Sequence, residues 1–315
     1  MADNQISVIG SYAVGMTMKT ERFPVAGETV PGHSFALLHG GKGSNQAIAC
    51  ARLGGNVFYY TCLGRDSFGE EAIKLYAEEG VDASQMKFSD SMSTGVGLVT
   101  VNKDGENQIT IDIGANNDVH EKDIDGIAEI IKKSSLVLMQ LELNMDAILH
   151  TARLCKKSGI PLLLNPAPFR PMPEEILACC AYFTPNETEA RQLLGLAPND
   201  HTANEEIAQR LLARGVKNVV MTLGSQGAML ANADGCTCVA GNKVDVVDST
   251  GAGDTFSAAL AVALSEGASL TDAVRFANAA GALSVTKYGV IPSLPYRKDV
   301  DTFSGFERID RRREA

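Results

Sequence analysis

The sequence predicts a doubly wound α/β fold: a mainly parallel sheet with helices on both faces, carrying a small β lid. Three observations predict it. Short apolar runs alternate with stretches of helical spacing along most of the 315 residues, as in parallel strands joined by crossover helices. The runs are continuously apolar, which strands covered on both faces require. Two extended, half-polar stretches, at about 12–39 and 92–112, interrupt the alternation and read as strands outside the main sheet.

In chain order, the buried strands are ISVIG (6–10), VFYYTCLG (57–64), LVLMQL (136–141), IPLLLN (160–165), YFTPN (182–186) and NVVMTLG (218–224). Helical spacing with a polar face runs over 44–54, 67–80, 121–132, 145–158, 187–194 and 203–214; two further helices, 253–266 and 270–286, close the pattern. Asp104-Gly105 marks a hairpin inside the second interruption. No repeat or linker divides the chain. Residues 1–315 are therefore expected to form one domain, with its lid from about 12–39 and 92–112. The lid's unpaired edges or apolar face are expected to build a homodimer.

Composition narrows the partners. With 38 acidic against 28 basic residues, the net charge of −10 argues against nucleic acid and anionic membranes. Arg311–Arg313 reads as a solvated helix end. No stretch approaches a membrane span, and the start MADNQISVIG lacks a signal peptide's apolar run. The seven cysteines lack metal or redox spacing and read as buried, reduced thiols of a cytoplasmic protein. His39, His120, His150 and His201 lack metal-ligand spacing, and His33 falls in the lid.

Ligands of such sheets bind at the carboxyl ends of the strands, and five motifs fall in loops or at helix starts suited to that edge. VVDSTGAGDTFSAAL (246–260) sets Gly251, Ala252 and Gly253 at a helix start, which bares a row of N–H donors to an anion. Asp254 follows at once; alone, it reads equally as a first-turn acid on a Gly-rich turn. HGGKGSNQA (39–47) offers Gly40, Gly41 and Gly43 for close backbone approach, with Lys42 and Asn45 as partners for hydroxyls, or a tight turn capped by Ser44. It is not a Walker A loop, and VIGSYAVG (8–15) is not a dinucleotide fingerprint. LNPAP (164–168), TPNETEA (184–190) and TLGSQGA (222–228) each follow a strand. Asn186 and Glu189, three apart, suit magnesium near phosphates or simply cap a helix. Gly224 and Gly227 admit a base or ribose against the backbone, or make a hairpin turn.

In this order and at these intervals, the five motifs resemble the ribokinase-like (PfkB) carbohydrate kinases, from GETV (27–30) to GVIPSLP (289–295), and most of all the family's ribokinase branch. The resemblance implies an ATP-dependent sugar kinase acting on a primary hydroxyl of a pentose or related sugar. Gly251, Ala252 and Gly253 would hold the phosphoryl group in transfer, and Asp254 would take the hydroxyl proton. Gly41, Lys42, Gly43, Asn45 and Glu142 would contact the sugar. Asn186, Thr222, Leu223, Gly224, Ser225, Gln226, Gly227 and Asn278 would line the ATP site, with Glu189 acting on Mg2+ through water. Asp248, Thr250, Ser284, Lys287, Gly289 and Ser293 match the K+ loop, mostly as carbonyl donors. Another acceptor (a ketohexose, a deoxy or modified sugar, a nucleoside) stays open, as does a non-catalytic sugar- or nucleotide-binding regulator. One departure bears on the acceptor. That branch usually reads GSINAD after the first strand, where this chain has GSYAVG, so Ala13 and Gly15 replace an Asn and an Asp that hold sugar hydroxyls. The sugar is then bulkier, deoxygenated there, or held instead through His39, Tyr12 or Asp112.

Overall fold

The computed structural model describes residues 4–304, so the Arg311–Arg313 run lies outside the described residues. Strand β1 (Gln5–Ile9) opens the central sheet, and β2 (Ala13–Thr20) and β3 (Gly32–Gly40) leave it. The chain returns through α1 (Lys42–Arg52) to β4 (Asn56–Tyr60). Next come β5 (Cys62–Gly64), α2 (Ser67–Glu78), β6 (Lys87–Ser89), β7 (Gly95–Val101) and β8 (Asn107–Asp112). The second half supplies α3 (Glu121–Gly126), α4 (Ala128–Ile131), β9 (Leu136–Met139), α5 (Met145–Ser158), β10 (Leu162–Leu164) and β11 (Tyr182–Phe183). It continues through α6 (Glu187–Leu193), α7 (Asn204–Ala213), β12 (Asn218–Thr222), β13 (Gly227–Asn232) and β14 (Gly235–Ala240). Helices α8 (Ala252–Ser265), α9 (Leu270–Ser284), α10 (Val290–Ser293) and α11 (Arg297–Ser304) follow.

The central sheet has the order β14-β13-β12-β11-β10-β9-β1-β4. From β12 to β4 all neighbours are parallel, whereas β13 and β14 add an antiparallel edge. Alternate residues feed two cores, as the strand period requires. Ile6, Val8, Leu136 and Leu138 face the core under α1, α8 and α9, while Ile9, Val137 and Met139 face the core under α5 and α7. Helix α8, rich in alanine, is buried along almost its whole surface, so α1 and α9 can pack closely on it. The chain leaves β1 toward β4 on one side, and β9 and its successors build the other side. The crevice beyond Ile9 and Met139 is thus the topological switch point, where such sheets bind ligands.

A second sheet, β3-β2-β7-β8, is built from the two interrupting stretches. Gly105, at φ 81°, turns the β7–β8 hairpin. Phe35, Leu37, Leu98, Ile109 and Ile111 of this sheet are exposed.

Four expectations need correction. The 57–64 run is two strands, because Cys62–Gly64 pairs with β6 and not with the central sheet. Residues 121–132 break into α3 and α4 at Ile127. The Gly224–Gly227 stretch turns back into β13, and β13 and β14 were not among the expected strands. Of the seven free thiols, Cys236 and Cys238 are exposed on the edge strand β14, not buried. Among the described residues no helix is long and apolar enough to cross a membrane.

Candidate active site

The switch-point crevice is floored by glycines for a steric reason. A Cβ on Gly43 would lie 2.3 Å from the Ser11 amide nitrogen, and one on Gly41 2.7 Å from Tyr12 Cα. Without side chains there, the first turn of α1 lies directly on the turn that follows β1, and Ser44 N donates to Ser11 O at 2.9 Å. The N-terminus of α1 thereby meets the end of β9. Glu142 Oε2 accepts from Lys42 N at 2.9 Å and from the Ser11 hydroxyl, a carboxylate on the positive end of a helix.

Helix α8 brings a second N-terminus to the same place. Its N-cap Gly251 is left-handed (φ 81°) and provides no side-chain cap. A Cβ on Gly253 would meet nothing within 4 Å. The first-turn amides therefore open on a cavity of ≈ 190 Å³, lined among others by Lys42, Asn186, Glu189, Gly251, Gly253 and Asp254. Asp254 is only 5% exposed. Its Oδ2 accepts from Asn45 Nδ2 and its Oδ1 from Gln46 Nε2, each at 2.9 Å. Asn45 Oδ1 is buried without a partner among the described residues.

Charge in this cavity is concentrated and mixed. Lys42 has its pKa raised, chiefly by Asp254, with Glu142 and Glu189 adding to the effect against the burial that opposes it. Burial pushes the Glu189 carboxyl up, and Asp254 adds to this, while the Asn186 amide and Lys42 oppose it. Asn186 and Glu189 form a reciprocal capping box at 2.8 and 2.9 Å. They cap α6 and line the cavity at once.

A larger cavity of ≈ 500 Å³ adjoins the first, sharing Thr222 and Gly253. Gly224, Ser225, Gly227 and Asn278 line it. Leu223 and Gln226, in the same loop, do not line it. Leu223 packs against the core below, and Gln226 accepts a backbone bond from Gly241. Gly227 is required by packing, since its Cβ would fall 2.2 Å from Val239 O. Asn278 Nδ2 donates to the carbonyls of Val239 and Ala240 at 3.1 and 3.2 Å, fixing the end of β14 beside the cavity.

The loop before α8 is latched by Asp248. Its Oδ1 accepts from Thr250 N and Oγ1 at 2.9 and 2.7 Å, and its Oδ2 from Gly289 N at 3.1 Å. Val247 N and Asp248 N both donate to Val285 O, which brings the end of α9 alongside. The hydroxyls of Ser284 and Ser293 are taken by carbonyls of their own helices. The Lys287 side chain is exposed. Asp248, Thr250 and Gly289 are thus joined directly, whereas the side chains of Ser284, Lys287 and Ser293 make no described hydrogen bond to them.

Sequence reasoning missed four residues here. Ser11, Gln46, Gln140 and Asn165 are all buried polar groups at strand ends or on α1. The available signal was a glutamine inside an otherwise apolar run, LVLMQL, and another directly after Asn45. Among the described residues no group of three or more His, Cys, Asp or Glu is placed to hold a metal.

Three comparisons with known proteins bear on this geometry. The model of the pfkB family carbohydrate kinases matches residues 3–297. A ribokinase of Haemophilus influenzae is 35% identical over 298 residues, 95% of this chain and 97% of that one. A deoxyribokinase of Salmonella typhimurium is also 35% identical, over 291 residues, 92% of this chain and 95% of that one. The structure of Arabidopsis thaliana ribokinase complexed with ribose and ATP superposes with a TM-score of 0.92 at 34% identity, over 98% of this chain and 100% of that one. With two helix N-termini facing one buried aspartate and a family model spanning the chain, this protein belongs to the pfkB family of carbohydrate kinases.

Proposed function

We propose that the protein is an ATP-dependent pentose kinase in which Asp254 accepts the proton of the acceptor hydroxyl. The observation that carries this is the position of Asp254: at the uncapped start of α8, on the first cavity, one residue after Gly253, which lines both cavities. ATP fits the larger cavity, between Gly224–Ser225 and Asn278, with its phosphates running past Thr222 and Gly253 toward the amides of Gly251–Gly253. The sugar lies on the other side of Asp254, against Gly41, Gly43, Asn45 and Glu142. As the hydroxyl attacks, charge grows on the transferred phosphoryl oxygens, which the α8 amides and the Lys42 ammonium would stabilise. Asp254 takes the proton with a carboxylate whose two oxygens are each fixed by one amide.

A divalent cation fits beside Glu189, a half-buried carboxylate whose pKa is raised by burial and which a cation would relieve. Through water it would hold Mg2+, which supplies charge neutralisation at the phosphates. A monovalent cation fits the Asp248 loop in a narrower sense. The Asp248 carboxylate is already committed to Thr250 and Gly289, so K+ would be held mainly by carbonyls and would order the turn before α8.

The acceptor face is the second sheet, which we read as a lid. Its register places Ala13, Gly15 and Gly97 on one face with Leu38 and Ile111. A Cβ on Gly97 would meet nothing within 4 Å. His39 and Asp112 fall in the Val14 row on the opposite face, and Tyr12 is fully buried with its hydroxyl bonded to His39 Nδ1 at 2.7 Å. The expectation that one of these three holds the sugar is therefore set aside. A small, apolar face suits an acceptor that is deoxygenated or bulkier there. The exposed Leu37 and Leu98, on the face opposite Gly15, suit a second copy of the chain.

Four outcomes are expected. Asp254→Asn keeps its melting temperature and ATP affinity but loses about 10²–10⁴-fold in turnover; near-normal turnover in a folded variant would sink the assignment. Potassium raises the rate over sodium and over a bulky organic cation, and equal rates in all three remove the cation claim. Light scattering finds a dimer at micromolar concentration; a monomer counts against the second sheet as an interface. Ribose is a poor acceptor, since the hydroxyls that an Asn and an Asp would hold meet no partner at Ala13 and Gly15, a handicap of about 10²-fold, and Ala13→Asn with Gly15→Asp improves kcat/KM for ribose. A native protein that already prefers ribose over deoxypentoses and bulkier sugars contradicts this.

A further inference from the structure

Two buried glutamines behind Asp254 line neither cavity. Gln46, on α1, is fully buried, and Gln140, just past β9, is 1% exposed. Gln46 Nε2 donates to Asp254 Oδ1 at 2.9 Å and to Asn165 Oδ1 at 3.1 Å. Gln140 Nε2 donates to Gln46 Oε1 at 2.6 Å. An ionised carboxylate can only accept, so the Gln46 amide has one workable orientation, nitrogen toward Asp254 and oxygen toward Gln140. Turned over, it would set oxygen against carboxylate at one end and N–H against N–H at the other.

The arrangement is costly, which argues that it serves a purpose. Gln140 Oε1 is buried with no partner among the described residues, and an unmet acceptor in a core is expensive. A Cβ on Gly10 would fall 2.0 Å from that oxygen and 2.7 Å from Gly43 Cα, so this glycine answers to the approach of α1 as well as to Gln140. An apolar residue at 140 would remove the unmet acceptor, but would take from Gln46 Oε1 the donor that holds that end of the amide in place.

Building on the reading of Asp254 as the base, we propose that Gln140 and Gln46 form a one-way amide chain that positions the Asp254 carboxylate for proton transfer. Both are positioning residues. The chain holds one carboxylate oxygen from behind while Asn45 holds the other, and the remaining lone pairs face the acceptor hydroxyl. The charged groups whose fields couple to Asp254 are Lys42 on α1 and Glu189 on α6, with Glu142 acting on Lys42 in turn. None of them contacts the amide chain in the described hydrogen bonds.

The test compares full-length Gln46→Leu, Gln46→Glu, Gln140→Leu, the Gln46→Leu/Gln140→Leu pair and Asp254→Asn, by steady-state kinetics across pH and by ATP calorimetry. Gln46→Leu is expected to lower kcat by about 10–100-fold, as a slightly misplaced base does, with KM for both substrates and ATP affinity kept. Gln46→Glu has the same shape but puts a second carboxylate against Asp254, so its acid limb shifts to higher pH. Gln140→Leu lowers kcat in the native background and adds nothing in the Gln46→Leu background, because it acts only through Gln46. Should Gln46→Leu not fold, Gln46→Glu and Gln140→Leu carry the test. Normal kcat in folded Gln46 variants, losses confined to KM, or additive losses in the pair would overturn the chain while leaving Asp254 as base. Full turnover in Asp254→Asn overturns the base itself, and the two failures are therefore distinct.

Discussion

The site depends on one contact: the start of α1 packed against the start of α8, so that the amides of Asn45 and Gln46 hold a carboxylate 209 and 208 residues away. This contact is geometric before it is chemical. Ala47, Ile48, Ala49 and Cys50 of α1 and Ala258, Ala259, Ala261 and Ala263 of α8 belong to one core cluster, and small side chains let the two helix axes approach. Two positive helix ends then converge beyond the carboxyl ends of β1 and β9. In an acidic protein, this convergence is what the proposed anion site rests on, in place of a surface of basic residues.

Local charge balance follows from the same convergence. Lys42 is the cation drawn toward Asp254, Glu142 and Glu189, and three carboxylates around one ammonium leave the cavity short of positive charge once phosphates enter. On the proposed reading, a divalent cation beside Glu189 would answer that shortage. The mixed field also explains why the aspartate tolerates an anion site: it has amide donors of its own and does not compete for the Gly251–Gly253 amides.

Much of this was legible in the chain. The parallel core strands announced themselves by apolar runs, and TGAGD by three small residues before an acid. What was not legible depended on partners distant in sequence. Cys62–Gly64 continues the apolar run of β4 yet pairs with β6, and nothing local distinguishes the two partners. Residues 227–240 alternate too weakly to separate an antiparallel edge from a loop. Gln46 and Gln140 look like ordinary polar residues until the fold sets them 2.6 Å apart. At Gly227 two reasons coincide, since it lines the larger cavity and a Cβ there would also strike the neighbouring strand.

The central claim is that Asp254 and the α8 amides address the two ends of one reacting line, the acceptor hydroxyl and the phosphoryl group. A crystal structure of the protein with its best sugar, ADP, Mg2+ and a planar metal-fluoride mimic of the phosphoryl group tests it most directly. The account predicts the acceptor hydroxyl within hydrogen-bond reach of an Asp254 carboxylate oxygen and the mimic's fluorides on the amides of Gly251–Gly253. A hydroxyl directed away from Asp254, or a mimic seated elsewhere than the start of α8, would contradict it.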